Sequence, residues 1–376
     1  MNSIVTPWEV KGNIDYNKLI TEFGLSKLDN KMIKRIEKHT GEIHYFLKRG
    51  IFFAHRDMNF ILDEYEKGNK FFLYTGRAPS GHTHLGHLIP WIFTKWLQDK
   101  FGVELWFQFP DEEKFLFKQE LEYDKVQEMV YENMLDVIAL GFDPKKTHFL
   151  IDTKHADIMY PEAIKVAKKI TFSTVRSAFG FENDQNIGAI FYTAMQAVPA
   201  FLPNILEKNK KPRPCLIPHA IDQDPHFRVS RDVIPKLGYY KPASIQCRFL
   251  PGLAGIESDG KMSSSSGNNA TIFTTDDAKT VKKKINKYAF SGGRETVEEH
   301  RKKGGIPEID VSYQWLTFFE EDDKKLKKIY EDYKSGALLS GELKAILIDK
   351  INEFLKKHQE KREKAKSQLN NFIYKK

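Results

Sequence analysis

The sequence predicts an α/β protein: a doubly wound, mostly parallel sheet, with an N-terminal appendage before it and an all-helical region after it. Three observations lead there. Between residues 70 and 249, short apolar runs bounded by turn residues alternate with helix-length stretches. Beyond residue 270, apolar residues recur at helical spacing. And 376 residues are enough for two or three domains.

Lys31–His39 and Met58–Glu66 carry helical spacing, with a short extended piece at Phe52 and Phe53 between them, so residues 1–66 read as a small, mostly helical appendage. Lys70–Tyr74 is the first buried strand and turns at Thr75-Gly76. His84–Phe101 is a helix. Pro90 should kink it or mark its true first turn, because proline has no N–H for the carbonyl four residues back. Val103–Phe109 and Thr147–Ile151 are the next strands, separated by a helix over Tyr123–Leu140 that Gly141 and Asp143-Pro144 end. Pro214–Ile217 and Ala243–Phe249 follow, with a helix near Phe227–Leu237 between them. Ser258–Ala270, dense in Ser, Gly, Asn and Asp, reads as a loop. Past it, Val281, Ile285 and Ala289 share one helical face, and Leu343, Ile346, Leu347, Phe354 and Leu355 another. The expected divisions are 1–66, a sheet domain with an insertion over 67–267, a helical domain over 268–357, and a last helix, about His358–Phe372, returning to the sheet domain.

Composition narrows the function. Lys and Arg number 59 against 51 Asp and Glu, a net charge of +8 that suits a polyanionic partner such as RNA without requiring one. The two cysteines, Cys215 and Cys247, sit in apolar stretches and read as buried thiols in a reducing compartment. Two cysteines cannot make a paired C-x-x-C zinc site. Met1–Gly12 is too polar for a secretory signal. The apolar run Leu88–Leu97 contains Lys95 and falls far short of the ~20 residues needed to span a bilayer. The expectation is a cytoplasmic protein without membrane attachment.

Two motifs carry chemistry. His84-Leu85-Gly86-His87 follows a strand and opens a helix, where unpaired N–H groups and the positive dipole end suit a polyphosphate. Gly86 leaves room for a flat base, and histidines three apart share a face. Alone the tetrad is weak, and nothing nearby supplies a third ligand for a metal. Lys261-Met262-Ser263-Ser264-Ser265 lies in the polar loop, from which a lysine can swing onto a pyrophosphate. A serine-rich linker is the plainer reading. Gly255–Lys261 also fits G-x-x-x-x-G-K, but Met262 stands where Ser or Thr should bind Mg²⁺ and no helix follows, so a P-loop is rejected.

The two motifs together, in this order, resemble the signature of class I aminoacyl-tRNA synthetases. Thr6-Pro7-Trp8-Glu9-Val10, Arg49-Gly50-Ile51-Phe52-Phe53, Leu73-Tyr74-Thr75-Gly76-Arg77, Ala220-Ile221-Asp222-Gln223-Asp224-Pro225 and Ala289-Phe290-Ser291-Gly292-Gly293-Arg294 look like the eukaryotic tryptophanyl-tRNA synthetase family. The resemblance implies a Rossmann-type catalytic domain, a helical anticodon-binding domain and a homodimer, with Thr171–Phe201 apolar enough for an interface. It implies tryptophan, ATP with Mg²⁺, and tRNA(Trp) as substrates and partners. Tyr74 and Gln108 match the indole-reading pair, Glu113, Gln196 and Gln223 the ammonium-holding groups, and Phe227 a pocket wall. Thr75, Gly76, Arg77, His84, Gly86, His87, Asp222, Gln223, Lys261, Met262, Ser263 and Ser265 match ATP contacts. His84, His87, Lys114 and Lys261 match catalytic positions. Without the resemblance, Gln196 reads as a helix-surface amide and Glu113 as part of a solvated acidic cluster with Asp111 and Glu112.

Tyrosyl enzymes are the nearest rival and carry Gln-Ala-x-Asp, whereas this chain reads Gln196-Ala197-Val198-Pro199, and proline cannot read a phenol. A small-molecule nucleotidyltransferase would not need the lysine-studded helical end. A non-catalytic RNA-binding relative should have lost Lys261, His84 or Glu113. Two departures concern phosphate-binding loops: Ala78–Thr83 is one residue shorter than in the animal enzymes, and Ser266 is additional.

Overall fold

In this computed structural model residues 15–208, 210–255 and 270–375 are described in full, with the backbone of 4–5 and 10–11. The segments Thr6–Glu9 and Lys261–Ser266 lie outside the described residues. Ile4–Val5 (β1) pairs antiparallel with Val10–Lys11 (β2). The central sheet comprises β3 (Ser26–Lys27), β4 (Phe52–Arg56), β5 (Phe72–Gly76), β6 (Leu105–Phe109), β7 (Thr147–Ile151), β8 (Cys215–Ala220) and β9 (Ala243–Cys247), in the order β3-β4-β9-β8-β5-β6-β7. β9, β8, β5, β6 and β7 are parallel, while β4 and β3 join antiparallel at one edge. The strand order reverses between β5 and β8, and in such sheets a ligand crevice opens there, at the carboxyl ends of the strands.

Alternation within the strands builds both layers. Leu73, Leu105, Phe107 and Phe149 face a core shared with the helix Leu85–Phe101 and the C-terminal helices. Phe72, Tyr74, Trp106 and Leu150 face the other way, against the helices of residues 156–206. Residues 1–66 carry the two expected helices, as Asn30–Thr40 and Met58–Glu66, while the extended piece at Phe52 and Phe53 is longer than expected and belongs to the central sheet. Phe52–Arg56 forms a five-residue strand between β3 and β9, with β4 bonded along β9 from Phe52↔Cys247 to Arg56↔Ser244. The Phe52-Phe53 pair signalled the strand, but its partner, almost 200 residues away, left no local trace.

The helix Leu85–Phe101 runs through Pro90, so Pro90 neither opens nor ends it. Proline instead leaves the carbonyl of Gly86 without its usual N–H, at a position lining the crevice. Ser340–Ala365 is one continuous helix, longer than expected, because Leu343, Leu347, Ile351 and Leu355 keep a four-residue apolar spacing with no breaker. It packs on the helix Tyr123–Ala139, where His358 Nε2 lies 2.9 Å from Asp136 Oδ1 and Arg362 NH1 2.5 Å from Asp136 Oδ2. Next to β7 the chain runs parallel once more: Ile373 pairs with Phe149, and the Tyr374 N–H donates to the Phe149 carbonyl at 3.0 Å. No described helix is long and apolar enough to cross a membrane.

Candidate active site

A cavity of about 630 Å³ opens at the strand reversal. It gathers Tyr74, Thr75, Gly76 and Arg77 from the end of β5, Gln108 from β6, Glu113 and Lys114 from the short helix Glu113–Phe117, and Gln196. His84, Gly86 and His87 line it from the start of their helix, and Asp222, Gln223 and Phe227 from the segment after β8. All of the expected site residues among the described ones therefore converge, although they span some 150 positions of sequence. Lys261, Met262, Ser263 and Ser265 lie outside the described residues.

The floor is an acceptor site. The Tyr74 hydroxyl donates to Gln108 Oε1 at 2.5 Å, and the Gln196 carbonyl is a second acceptor at 3.1 Å. Burial, with the nearby Asp152 and Glu113, raises the Tyr74 phenol well above its ordinary value, so it stays neutral and its oxygen can accept from a ligand. Phe227 stands edge-on to Tyr74, with ring centroids 5.9 Å apart. This is a flat, apolar slot with acceptors at one end.

Beside it stands a negative corner. Glu113 Oε2 accepts from the Tyr192 hydroxyl at 2.8 Å and Oε1 from Lys114 Nζ at 2.6 Å. Burial opposes its ionisation, but the Lys114 charge, His226 and the two hydrogen bonds together hold the carboxyl below its usual range. The Oε1 of Gln196 is buried without a partner among the described residues and adds an acceptor. A ligand ammonium suits this corner. Glu113 is only 6% exposed, which removes the reading of a solvated acidic cluster.

The far wall suits anions. The His84 and His87 rings stack 3.5 Å apart, and the His84 N–H donates to His87 Nδ1 at 3.1 Å, which locks the helix entry. Buried Arg77 donates through Nε to Asn133 Oδ1 at 3.1 Å, while its NH2 has no partner among the described residues. Burial brings its pKa down to about 10, still cationic at neutral pH.

Sequence reasoning missed Tyr192, Asp152 and the backing from the N-terminal segment. Tyr192 stands one helical turn before Gln196, which was a usable signal. Asp152 directly follows the carboxyl end of β7, where ligand-site residues concentrate. Tyr16, whose hydroxyl accepts from the Phe249 N–H at 3.2 Å behind the cavity wall, gave none.

A family model described as tRNA synthetases class I (W and Y) matches residues 66–356. The tryptophan–tRNA ligase of Sulfolobus acidocaldarius is 55% identical over 372 residues, covering 98% of this chain and 95% of that one. The tryptophanyl-tRNA synthetase of Plasmodium falciparum superposes with a TM-score of 0.90 at 45% identity, over 96% of this chain and 98% of that one. The tryptophan-bound enzyme of Encephalitozoon cuniculi gives 0.88 at 38% identity, over 97% and 99%. The relatives include archaeal as well as eukaryotic proteins, so the likeness is not to eukaryotic enzymes alone. The chain belongs to the class I tRNA synthetases, and within them to the tryptophan–tRNA ligases.

Proposed function

We propose that the cavity binds tryptophan and ATP side by side, forms tryptophanyl-adenylate, and passes the tryptophanyl group to tRNA(Trp). The observation that carries this reading is the acceptor pair Tyr74–Gln108 at the end of an apolar slot, 2.5 Å apart, because an indole N–H can only donate. Glu113, with Gln196 and Gln223, holds the substrate ammonium. The carboxylate, already ionised at neutral pH, attacks the α-phosphate and pyrophosphate leaves, so no general base is required. Arg77, His84, His87, Lys114 and the loop lysine Lys261 draw charge from the phosphates as it builds, and Thr75, Gly76 and Gly86 let the nucleotide lie close to the backbone. A ribose hydroxyl of the terminal tRNA adenosine then takes the aminoacyl group and releases AMP. Bound to the triphosphate oxygens, which suit it, Mg²⁺ would supply further charge neutralisation beside Arg77, His84, His87 and Lys114. Among the described residues no three of His, Cys, Asp or Glu could hold a metal ion.

Residues 268–357 serve in this reading as the anticodon-binding domain, with a lysine-rich surface for RNA. A homodimer is supported by Tyr160, Ile164, Phe172 and Ile187, which stay exposed on neighbouring helices. The buried free thiols Cys215 and Cys247 suit a cytoplasmic protein. The family likeness extends to archaeal and eukaryotic members alike, and we place the chain in a group that spans both. Amino-acid-dependent ATP–pyrophosphate exchange tests the activity. Exchange with tryptophan alone is expected, and exchange with tyrosine would overturn the assignment of the slot.

A further inference from the structure

Glutamine presents two chemically opposite ends, and the indole slot needs only one of them. Oε1 accepts, whereas Nε2 donates and would face a donor-only N–H. Gln108 Nε2 donates to Asp152 Oδ2 at 2.7 Å, and Oε1 is thereby turned to the Tyr74 hydroxyl. Asp152 is buried just beyond β7. Its Oδ1 and the Oε2 of Glu112 are both buried without a donor among the described residues, and the two carboxyls adjoin. Asp111, Glu113, Tyr74 and Tyr192 also face this pair. Two carboxylates so enclosed cannot both ionise. One proton between them supplies the donor that both lack, and it leaves Asp152 Oδ2 as the acceptor for Gln108. Burial, first, raises both carboxyls above the ordinary range, helped on Asp152 by the charges of Glu112 and Asp111 and on Glu112 by those of Asp111 and Glu113, which retains that proton near neutrality.

We propose that Asp152, sharing a proton with Glu112, is the positioning residue that fixes Gln108 with its carbonyl toward the slot and so sets selection for the indole N–H. This rests on the reading of Tyr74 and Gln108 as the indole-reading pair. An asparagine in place of Asp152 would reproduce the protonated acid, accepting from Gln108 and donating to Glu112. Leucine would release the amide.

The test compares kcat/KM in pyrophosphate exchange for tryptophan and for β-(benzothiophen-3-yl)alanine, in which sulfur replaces the N–H. The wild-type chain should prefer tryptophan by on the order of a hundredfold, since the analogue leaves a buried acceptor unpaired. Asp152→Asn should keep that preference. Asp152→Leu should lose about tenfold or more of it, mostly through tryptophan. No preference in the wild type would overturn the reading of the pair itself. A wild-type preference retained by Asp152→Leu, or an equal loss for both substrates, would overturn the positioning role. Loss of the preference in Asp152→Asn would do so as well, whether or not the leucine variant folds.

Discussion

Arg56 and Asp224 meet in a two-pronged ion pair, Nε to Oδ1 at 3.0 Å and NH2 to Oδ2 at 2.9 Å. The carboxyl is almost fully buried, and Arg228 Nε joins it at 2.6 Å. Burial alone would raise Asp224, but the Arg56 bonds hold it below the ordinary carboxylate range. The pair ties strand β4, from the N-terminal segment, to the residue that follows Asp222 and Gln223 in the cavity wall.

Arg56→Ala should therefore lower the free energy of unfolding by about 3 kcal/mol, since it leaves a buried carboxylate with half its partners. It should also raise KM for the substrates. Arg56→Lys should recover only part of this, because an ammonium cannot form the fork. Urea denaturation reads the first effect, and an unchanged midpoint would contradict the clamp.

Acid should loosen the C-terminal helix. Burial works against ionised Asp136, but the His358 hydrogen bond and the Arg362 charge overcome it and hold the carboxyl below its ordinary value. The resulting stability is complete above the unfolded-state pKa, about 3.9, and is lost as pH falls through the depressed folded value. Thermal melts of wild type and Asp136→Asn should differ at neutral pH by the equivalent of about 3–5 kcal/mol and converge below about pH 4. A gap that stays constant with pH would refute the ion-pair account.

Gly76 admits no side chain. A Cβ there would sit 2.9 Å from the Gln108 carbonyl oxygen, which cannot withdraw because it accepts the Arg77 N–H at 2.9 Å. Gly76→Ala should cost about 1–3 kcal/mol of stability by forcing β5 and β6 apart. It should weaken tryptophan activation at the same time, since Tyr74 and Gln108 ride on those two strands. Melting temperature and KM for tryptophan, measured together, check the coupling.

Lys261→Ala should slow adenylate formation by a hundredfold or so, comparable to removing one charge-stabilising donor, while tryptophan affinity changes little. Single-turnover exchange separates the two quantities. An unaltered rate would remove the lysine from the chemistry.

The parallel strands and their helices were legible because each is a local event: an apolar run of five residues, a turn, a helical stripe. Thr147–Ile151 was read to the residue. The histidine motif was legible in the same way, since Gly86 and the two histidines occupy one helix start, whereas Lys261–Ser265 lies outside the described residues. What stayed hidden was whatever depends on a distant partner. β4 needs β9, and Asp152 becomes a site residue only through Gln108, 44 positions away. The helix through Pro90 persists because tertiary packing of Leu88, Trp91 and Phe93 outweighs the lost backbone bond, a balance no local rule contains.

The pairing of Ile373 and Tyr374 beside Phe149 has a consequence for the order of events in synthesis. His155, next to β7, also bonds the Tyr374 carbonyl, a partner made 219 residues later. At about 5–20 residues per second, a ribosome needs roughly 10–40 s to bridge that interval. Throughout it, the outer side of β7 is an uncapped strand edge, open to pairing with other chains. Maturation of the sheet thus waits on translation of Ile373 and Tyr374, and loss of those two residues would leave that edge exposed permanently.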